Sequence, residues 1–246
     1  MSNSNTQTIR FIGHVESCYP DKFGTPRQPG LVPDSKAFVR LVSEWQPADS
    51  LQGLEGFSHV WILFWFHKNN ENSRFHAKVF PPRMEGEKVG VFSTRSPHRP
   101  NPIGLSLVKL DRVEKNGIWI SGIDLIEGTP VLDIKPYLPY AEALTNAKGG
   151  WTDRTFEKPE FTVEFQCAEK LARWKKQRPE IESLILQTLR LDPRPTVYKG
   201  YEGEDSPYRS SHAVRLYEGD VHFKFTDPTH IQVTDIRFMN DEIPES

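Results

Sequence analysis

Four side chains able to hold an anion, Arg95, His98, Arg99 and Asn101, fall within RSPHRPNPIG (95–104), a segment that also contains three prolines. Proline fixes its own φ and drives the preceding residue towards extended backbone, so Ser96, Arg99 and Asn101 are each held locally. Prolines also leave fewer backbone donors, and the side chains must do more of the polar work. An arginine on such a loop suits a carboxylate or a phosphate, because its planar fork meets two oxygens at once. A rigid crossover between strands has the same composition, and residue types alone admit both readings. Arg27 and Gln28 are framed in the same way, between Pro26 and Pro29. Asp133 and Lys135 share one face of an extended segment, with Ile134 on the other. A pair at that spacing is ordinarily a solvated face.

These residues need elements to position them. Apolar, β-branched or alternating runs at 8–15, 36–42, 58–67, 89–95, 104–113 and 117–125 predict strands, separated by Gly, Pro and Asn. Only 45–55 leaves room for a short helix. Many strands with uneven loops predict an antiparallel sheet closing towards a barrel, with LDIKPYLPYAEAL (132–144) as last strand and exit. Residues 146–160 lose the apolar pattern and read as a linker. A strand at 161–167 follows, then a helical stretch at 168–191 that Pro179 should split in two. Three alternating strands, 211–218, 220–227 and 230–238, close the chain. The expected fold is therefore mainly β plus α+β: a barrel domain at 6–145 and a small α+β domain at 161–240.

The chain has 246 residues, of which 37% are hydrophobic and 26% charged, so it is read as an ordinary soluble globular protein. Its longest apolar run, VWILFWF (60–66), falls far short of the roughly 20 residues of a membrane helix. The polar start MSNSNTQTIR has no signal-peptide core. Two distant cysteines, Cys18 and Cys167, suit a reducing cytoplasm and argue against a disulfide framework or a thiolate zinc site. Net charge is −2, but residues 66–115 carry ten Lys/Arg against five Asp/Glu and residues 170–215 ten against six. Two basic blocks of this kind can form one positive face for RNA. Walker A, dinucleotide-binding, zincin, C-x-x-C and nucleophile-elbow motifs are missing, and the histidines are dispersed, so no metal is expected.

GVFSTRSPHRPNPIG (90–104) closely resembles the signature of the TrmO family, the TsaA-like S-adenosylmethionine-dependent tRNA adenine-N6-methyltransferases. PRQPG (26–30), GLEGFSHVWILFWFH (53–67), GIDLIEGTPVLDIKPYLPYAE (122–142) and DPRP (192–195) resemble its other blocks, in the same order. The resemblance covers nearly the whole chain. It implies a β-barrel methyltransferase domain in place of a Rossmann fold, a small C-terminal domain, and a homodimer. It also implies S-adenosylmethionine as methyl donor, and threonylcarbamoyladenosine beside the anticodon, chiefly in tRNAs for threonine, as acceptor. After DPRP the family places a tyrosine two residues on, where this chain has Val197 and then Tyr198; Lys199 and Gly200 keep their places.

By the same resemblance the donor site comprises Pro26, Arg27, Gln28, His67, Lys68, Arg95, Leu105, Ile126, Glu127, Gly128, Thr129, Asp133 and Lys135. Arg99, Asn101, Arg194 and Lys199 are the expected tRNA contacts. The acceptor nitrogen carries a ureido N–H, and Asp133, Asp124 and His98 are candidates to take its proton. All proposed donor segments precede the linker, so residues 1–145 are expected to bind the donor by themselves. A non-catalytic RNA-binding barrel, with no donor site, is the competing reading.

Overall fold

A chain whose strands alternate one residue in and one out must bury one face, and here it does so twice. The computed structural model describes residues 7–69, 75–81, 84, 86–154, 159–194 and 210–239. Six strands close a barrel: β1 (Gly13–Ser17), β2 (Lys36–Leu41), β3 (His59–Trp65), β6 (Ile103–Glu114), β7 (Gly117–Ser121) and β8 (Pro130–Pro136). Their order around the barrel is β1-β2-β7-β6-β3-β8, and every pairing is antiparallel. Val15, Val39, Val60, Ile62, Phe64, Val108, Ile118, Ile120 and Val131 point inward and are buried. Register shifts at Leu63/Phe64 and Leu110/Arg112 supply the bends that closure needs. Phe64 pairs with Gly104, where a Cβ would lie 2.2 Å from the Phe64 ring, so only glycine lets that ring fill the interior.

One expected strand does not join the barrel. Of 89–95, only β5 (Val89–Gly90) forms a strand, paired with β4 (Lys78–Val79), and Val91–Ser93 then form a 3₁₀ turn. The remaining strands lie where the alternation puts them, within a few residues. β7 stops at Ser121 because Gly122 turns the chain with φ of 69°. The short helix falls at α1 (Pro47–Ser50), and the exit after β8 is α2 (Pro139–Glu142).

The second sheet has the order β10-β11-β12-β9, formed by β9 (Thr162–Phe165), β10 (Ser211–Leu216), β11 (Gly219–Phe225) and β12 (His230–Phe238). β9 runs parallel to β12, and the others are antiparallel. α3 (Ala168–Gln177) and α4 (Ile181–Leu189) are divided at Pro179, as expected. Leu171 and Trp174, three apart, are buried from α3, while Lys170, Arg173, Lys175 and Lys176 are exposed on it. The linker is not loose along its whole length: Trp151 donates its indole N–H to Ser93 O at 2.7 Å.

Candidate active site

In an antiparallel barrel alternate connections emerge at opposite ends. Here β1–β2 (18–35), β3–β6 (66–102) and β7–β8 (122–129) share one mouth. Those three connections carry Pro26, Arg27, Gln28, His67, Lys68, Arg95, Asp124 and Ile126–Thr129. Backbone bonds stitch the first to the third: Gly30 N–H to Gly122 O (2.8 Å), Gly122 N–H to Ser35 O (2.9 Å) and Glu127 N–H to Tyr19 O (2.8 Å). Glu127 in turn accepts the Ser17 N–H at 2.6 Å. The second connection is closed on itself by Phe66 N–H to Pro102 O (2.8 Å) and tied to the first by Lys68, whose ammonium donates to Pro20 O at 2.7 Å. Asn69 donates to Pro97 O at 2.8 Å and so anchors the proline-rich loop.

Arg95 donates from Nη1 to the Gln28 Oε1 at 2.7 Å, which joins the two proline-framed segments directly. Asp124 lies recessed in the mouth and accepts the Ser106 hydroxyl at 2.6 Å. Burial pushes its carboxyl up to about 6, against the opposing pull of Ser106 and the Arg95 cation. His67 sits beside Gly128, where a Cβ would be 3.9 Å from its Nε2. Burial, and then the neighbouring Lys68 charge, hold its pKa below the usual histidine value, so the ring is neutral at pH 7. The mouth therefore combines exposed guanidinium groups, a neutral imidazole, an exposed glycine-containing turn and one recessed carboxylate.

The remaining expected donor residues are elsewhere. Leu105 and Asp133 both pair with Leu63 and lie on either side of it on the outer wall of β6, β3 and β8. Asp133 forms an ion pair with Lys135 at 2.7 Å and accepts the Ile134 N–H. Both of these polar contacts stay on the wall and do not enter the mouth.

The expected tRNA contacts fare unevenly. Asn101 is exposed at the rim. Arg99 is half-buried and turns back on its own loop, donating from Nη1 to Thr94 O at 3.0 Å and to Ser96 O at 3.4 Å. Arg194 is corrected: it is 3% exposed, with its Nε 2.9 Å from Asp192 Oδ1 and its guanidinium 3.2 Å above the Phe225 ring. A cation so enclosed is a core group and cannot meet a phosphate. Lys199, with Val197 and Tyr198, lies outside the described residues. The sequence reading missed Ser106, which bonds Asp124 across a sequence separation of 18, and Phe92, 76% exposed on the turn before Arg95. A serine inside an alternating strand was the only available signal for the first.

S-adenosylmethionine carries a carboxylate, ribose hydroxyls and an adenine. The mouth matches that set with Arg27 and Arg95, polar side chains, and a Gly-containing turn at 126–129 in which Glu127 and Gly128 are exposed. The residues present fit the group.

Residues 14–143 match the tRNA-methyltransferase O N-terminal domain, and residues 158–239 match the TrmO C-terminal domain. RcsF of Pseudomonas aeruginosa, which bears the name of an S-adenosylmethionine-dependent methyltransferase, is 42% identical over 94% of this chain and 98% of its own. The tRNA (adenine(37)-N6)-methyltransferase of Escherichia coli is 40% identical over 88% of this chain and 92% of its own length. The crystal structure of TrmO from Pseudomonas aeruginosa superposes with a TM-score of 0.74 at 38% identity, covering 94% of this chain and 99% of that one.

Proposed function

Because the chain belongs to the tRNA-methyltransferase O family, we propose that it transfers methyl from S-adenosylmethionine to N6 of adenosine 37 in tRNA. In its finer form, the acceptor is the threonylcarbamoylated adenosine beside the anticodon, chiefly in tRNAs for threonine. One observation carries the reading: three long connections converge on one mouth and set Gln28 against Arg95 above a recessed Asp124.

Bound there, S-adenosylmethionine supplies a methyl group on a sulfonium, already activated for transfer. What remains for the chain is alignment, since holding reacting atoms in line at about 3–3.5 Å removes several kcal/mol of the barrier. Arg27 and Arg95 would grip the donor carboxylate, and the Gln28 amide fixes the Arg95 fork before anything binds. The exposed turn at Ile126–Thr129 would lie against the adenine, with neutral His67 and Lys68 closing the rim. Asp124 is best placed to take the N6 proton. Its Oδ1 is occupied by Ser106, which leaves Oδ2 as the acceptor. Asp133 is committed to Lys135 on the outer wall, and His98 is exposed on the loop.

The barrel (6–145) holds the donor in this reading, and the second unit (161–240) contacts tRNA through the exposed Arg173 and Lys176 of α3. The outer wall bearing Leu105, Asp133 and Lys135 is where a second copy would sit in a homodimer. Leu105 is 49% exposed there, and Tyr140 and Leu144, beyond the end of β8, are also exposed. No helix among the described residues is long and apolar enough to cross a membrane, and the cytoplasmic tRNA pool is the expected workplace. Mass spectrometry of tRNA nucleosides from cells with and without the protein tests the reaction. Loss of the methylated threonylcarbamoyladenosine is expected, and an unchanged nucleoside profile would sink the proposal.

A further inference from the structure

The connection bearing Arg27 and Gln28 has no regular secondary structure from residue 18 to residue 35. A loop of that length needs something other than a ladder to fix it. One of its sides is stitched to residues 122–129, as described above. Its other side lies against the second unit. Tyr217 donates its N–H to Cys18 O at 2.9 Å. Asp34 and Gln187 form a reciprocal pair, with Asp34 N–H donating to Gln187 Oε1 at 3.1 Å and Gln187 Nε2 donating to Asp34 Oδ2 at 2.8 Å. Arg215 on β10 approaches Asp21 at 3.6 Å. Gly24, with φ of 89°, lies so close to β10 that a Cβ there would come within 2.5 Å of a Val214 methyl. Cys18 and Tyr19 are fully buried and belong to one continuous apolar cluster that includes Ile185 and Leu189 of α4 and Val214 of β10.

These contacts touch the loop at 18, 21, 24 and 34, on both sides of residues 26–28. We infer that the second unit is the seat of the donor-binding connection, and that Gln187 is a positioning residue that holds Arg27 and Gln28 towards the mouth. The inference rests on the reading that residues 26–28 grip the donor. It assigns the second unit a role in donor affinity, in addition to any contact with tRNA. It also revises the expectation for residues 1–145: severed from its seat, the barrel would expose Cys18 and Tyr19 and release the loop that carries Arg27.

The test is calorimetric titration of the full chain with S-adenosylmethionine, together with separate KM values for donor and tRNA. Gln187→Glu sets a carboxylate against Asp34. It should raise the donor Kd and the donor KM together, by roughly five- to fifty-fold, the range of a coupling between two sites. The tRNA Kd measured without donor should stay within about twofold of the wild type, as no contact of Gln187 with RNA is invoked. Adding Asp34→Asn restores a donor–acceptor pair and should recover most of the lost affinity. Should Gln187→Glu fail to fold, Gln187→Met removes both hydrogen bonds to Asp34, and one to Ser183 within α4, without adding charge and is read in the same way. A variant with a lowered Tm but unchanged donor Kd and KM would show that the contact is structural only, which overturns the inference. Arg27→Ala, titrated alongside, separates the two levels. If it weakens donor binding while Gln187→Glu does not, the seat alone is wrong. If Arg27→Ala binds donor as before, the donor-site reading falls, and the inference with it.

Discussion

Six strands finish at both ends of the barrel, but the two ends are built differently. At one mouth, connections of 18–35, 66–102 and 122–129 fold over one another and exchange backbone bonds. At the other, β6 and β7 are joined through Lys115–Asn116, and the β2–β3 connection folds locally into α1 and 3₁₀ turns. A hollow of about 470 Å³ lies at this second end, lined by Leu41, Ser43, Gln46, Pro47, Ala48, Asp49, Lys115 and Asn116. It has a cation and a carboxylate, both exposed. A hollow marks one end and fixed chemistry the other. Chemistry decides, because a transfer reaction needs groups already fixed in place, and only crossing connections hold side chains from distant parts of the chain together.

The sharpest way to break this comparison is at Asp124. Asp124→Asn should lower single-turnover methylation at pH 7.5 by roughly 10²- to 10⁴-fold, the usual worth of a positioned base. Wild-type activity should fall as pH drops through about 6, whereas the residual activity of the variant should be flat there. Stability should move in the opposite direction. The folded carboxyl binds its proton more tightly than the ordinary 3.8, so its contribution is fully present below that value and is lost as pH rises through about 6. Asp124→Asn should therefore raise stability at pH 7.5 by on the order of 1–3 kcal/mol, with the gain vanishing near pH 4 in thermal melts. A variant that is both inactive and less stable at pH 7.5 would point to structural damage.

Arg27→Ala is the next test. It should weaken donor binding roughly ten- to a hundred-fold by calorimetry while tRNA binding holds, the loss expected of one charge-assisted bidentate contact. Lys115→Ala at the opposite end should leave both affinities unchanged.

Arg95 and Arg99 then sharpen the contrast within the active mouth. Arg95→Lys keeps the charge but loses the fork held by Gln28, and methylation at saturating tRNA should fall by roughly tenfold. As a phosphate contact, Arg99 would tolerate lysine. Arg99 instead shares one nitrogen between Thr94 O and Ser96 O, so Arg99→Lys should loosen the loop. A rise of roughly three- to tenfold in both KM values is expected, with earlier proteolysis within 95–101.

The smallest effect belongs to the quiet end. Gln46 has φ of 47°, a left-handed conformation that costs a side chain about 1–2 kcal/mol. Gln46→Gly should raise stability by up to about 1 kcal/mol, after glycine's own entropy cost, and leave methylation untouched. Altered activity there would mean that the two ends are coupled.

The barrel was legible because alternation over five to twelve residues states which face is buried, and each barrel strand has such a run. Residues 89–95 show the limit. Their pattern is strand-like, but among the described residues β5 pairs only with the two-residue β4, and a strand with so short a neighbour stops. The rim residues were legible through proline framing and family resemblance, which mark where the chain is stiff. Arg194 was not. Flanked by Pro193 and Pro195 it looks solvated, and what buries it is Phe225, thirty-one positions on, which no local pattern displays. Tyr19 and Cys18 were overlooked for the same reason: apolar residues within a polar connection acquire a meaning only once the second unit packs on them.

The seam between β1 and β8 is the thinnest in the barrel. Only Gly13↔Val131 and His14↔Pro130 are registered there, flanked by Ile12 N–H to Val131 O and Val15 N–H to Thr129 O. Its two sides are also about 120 residues apart in the chain, whereas β6 and β7 are neighbours. Closing so long a loop is entropically costly and is rewarded late, so this seam should be the last to zip during folding. It should also be the first to part in the native protein, with the Ile12 and Val15 amides exchanging hydrogen ahead of those in β6 and β7. Thr129 and Glu127 stand at that seam, so the barrel's slowest stitch lies on the rim where the reaction is run.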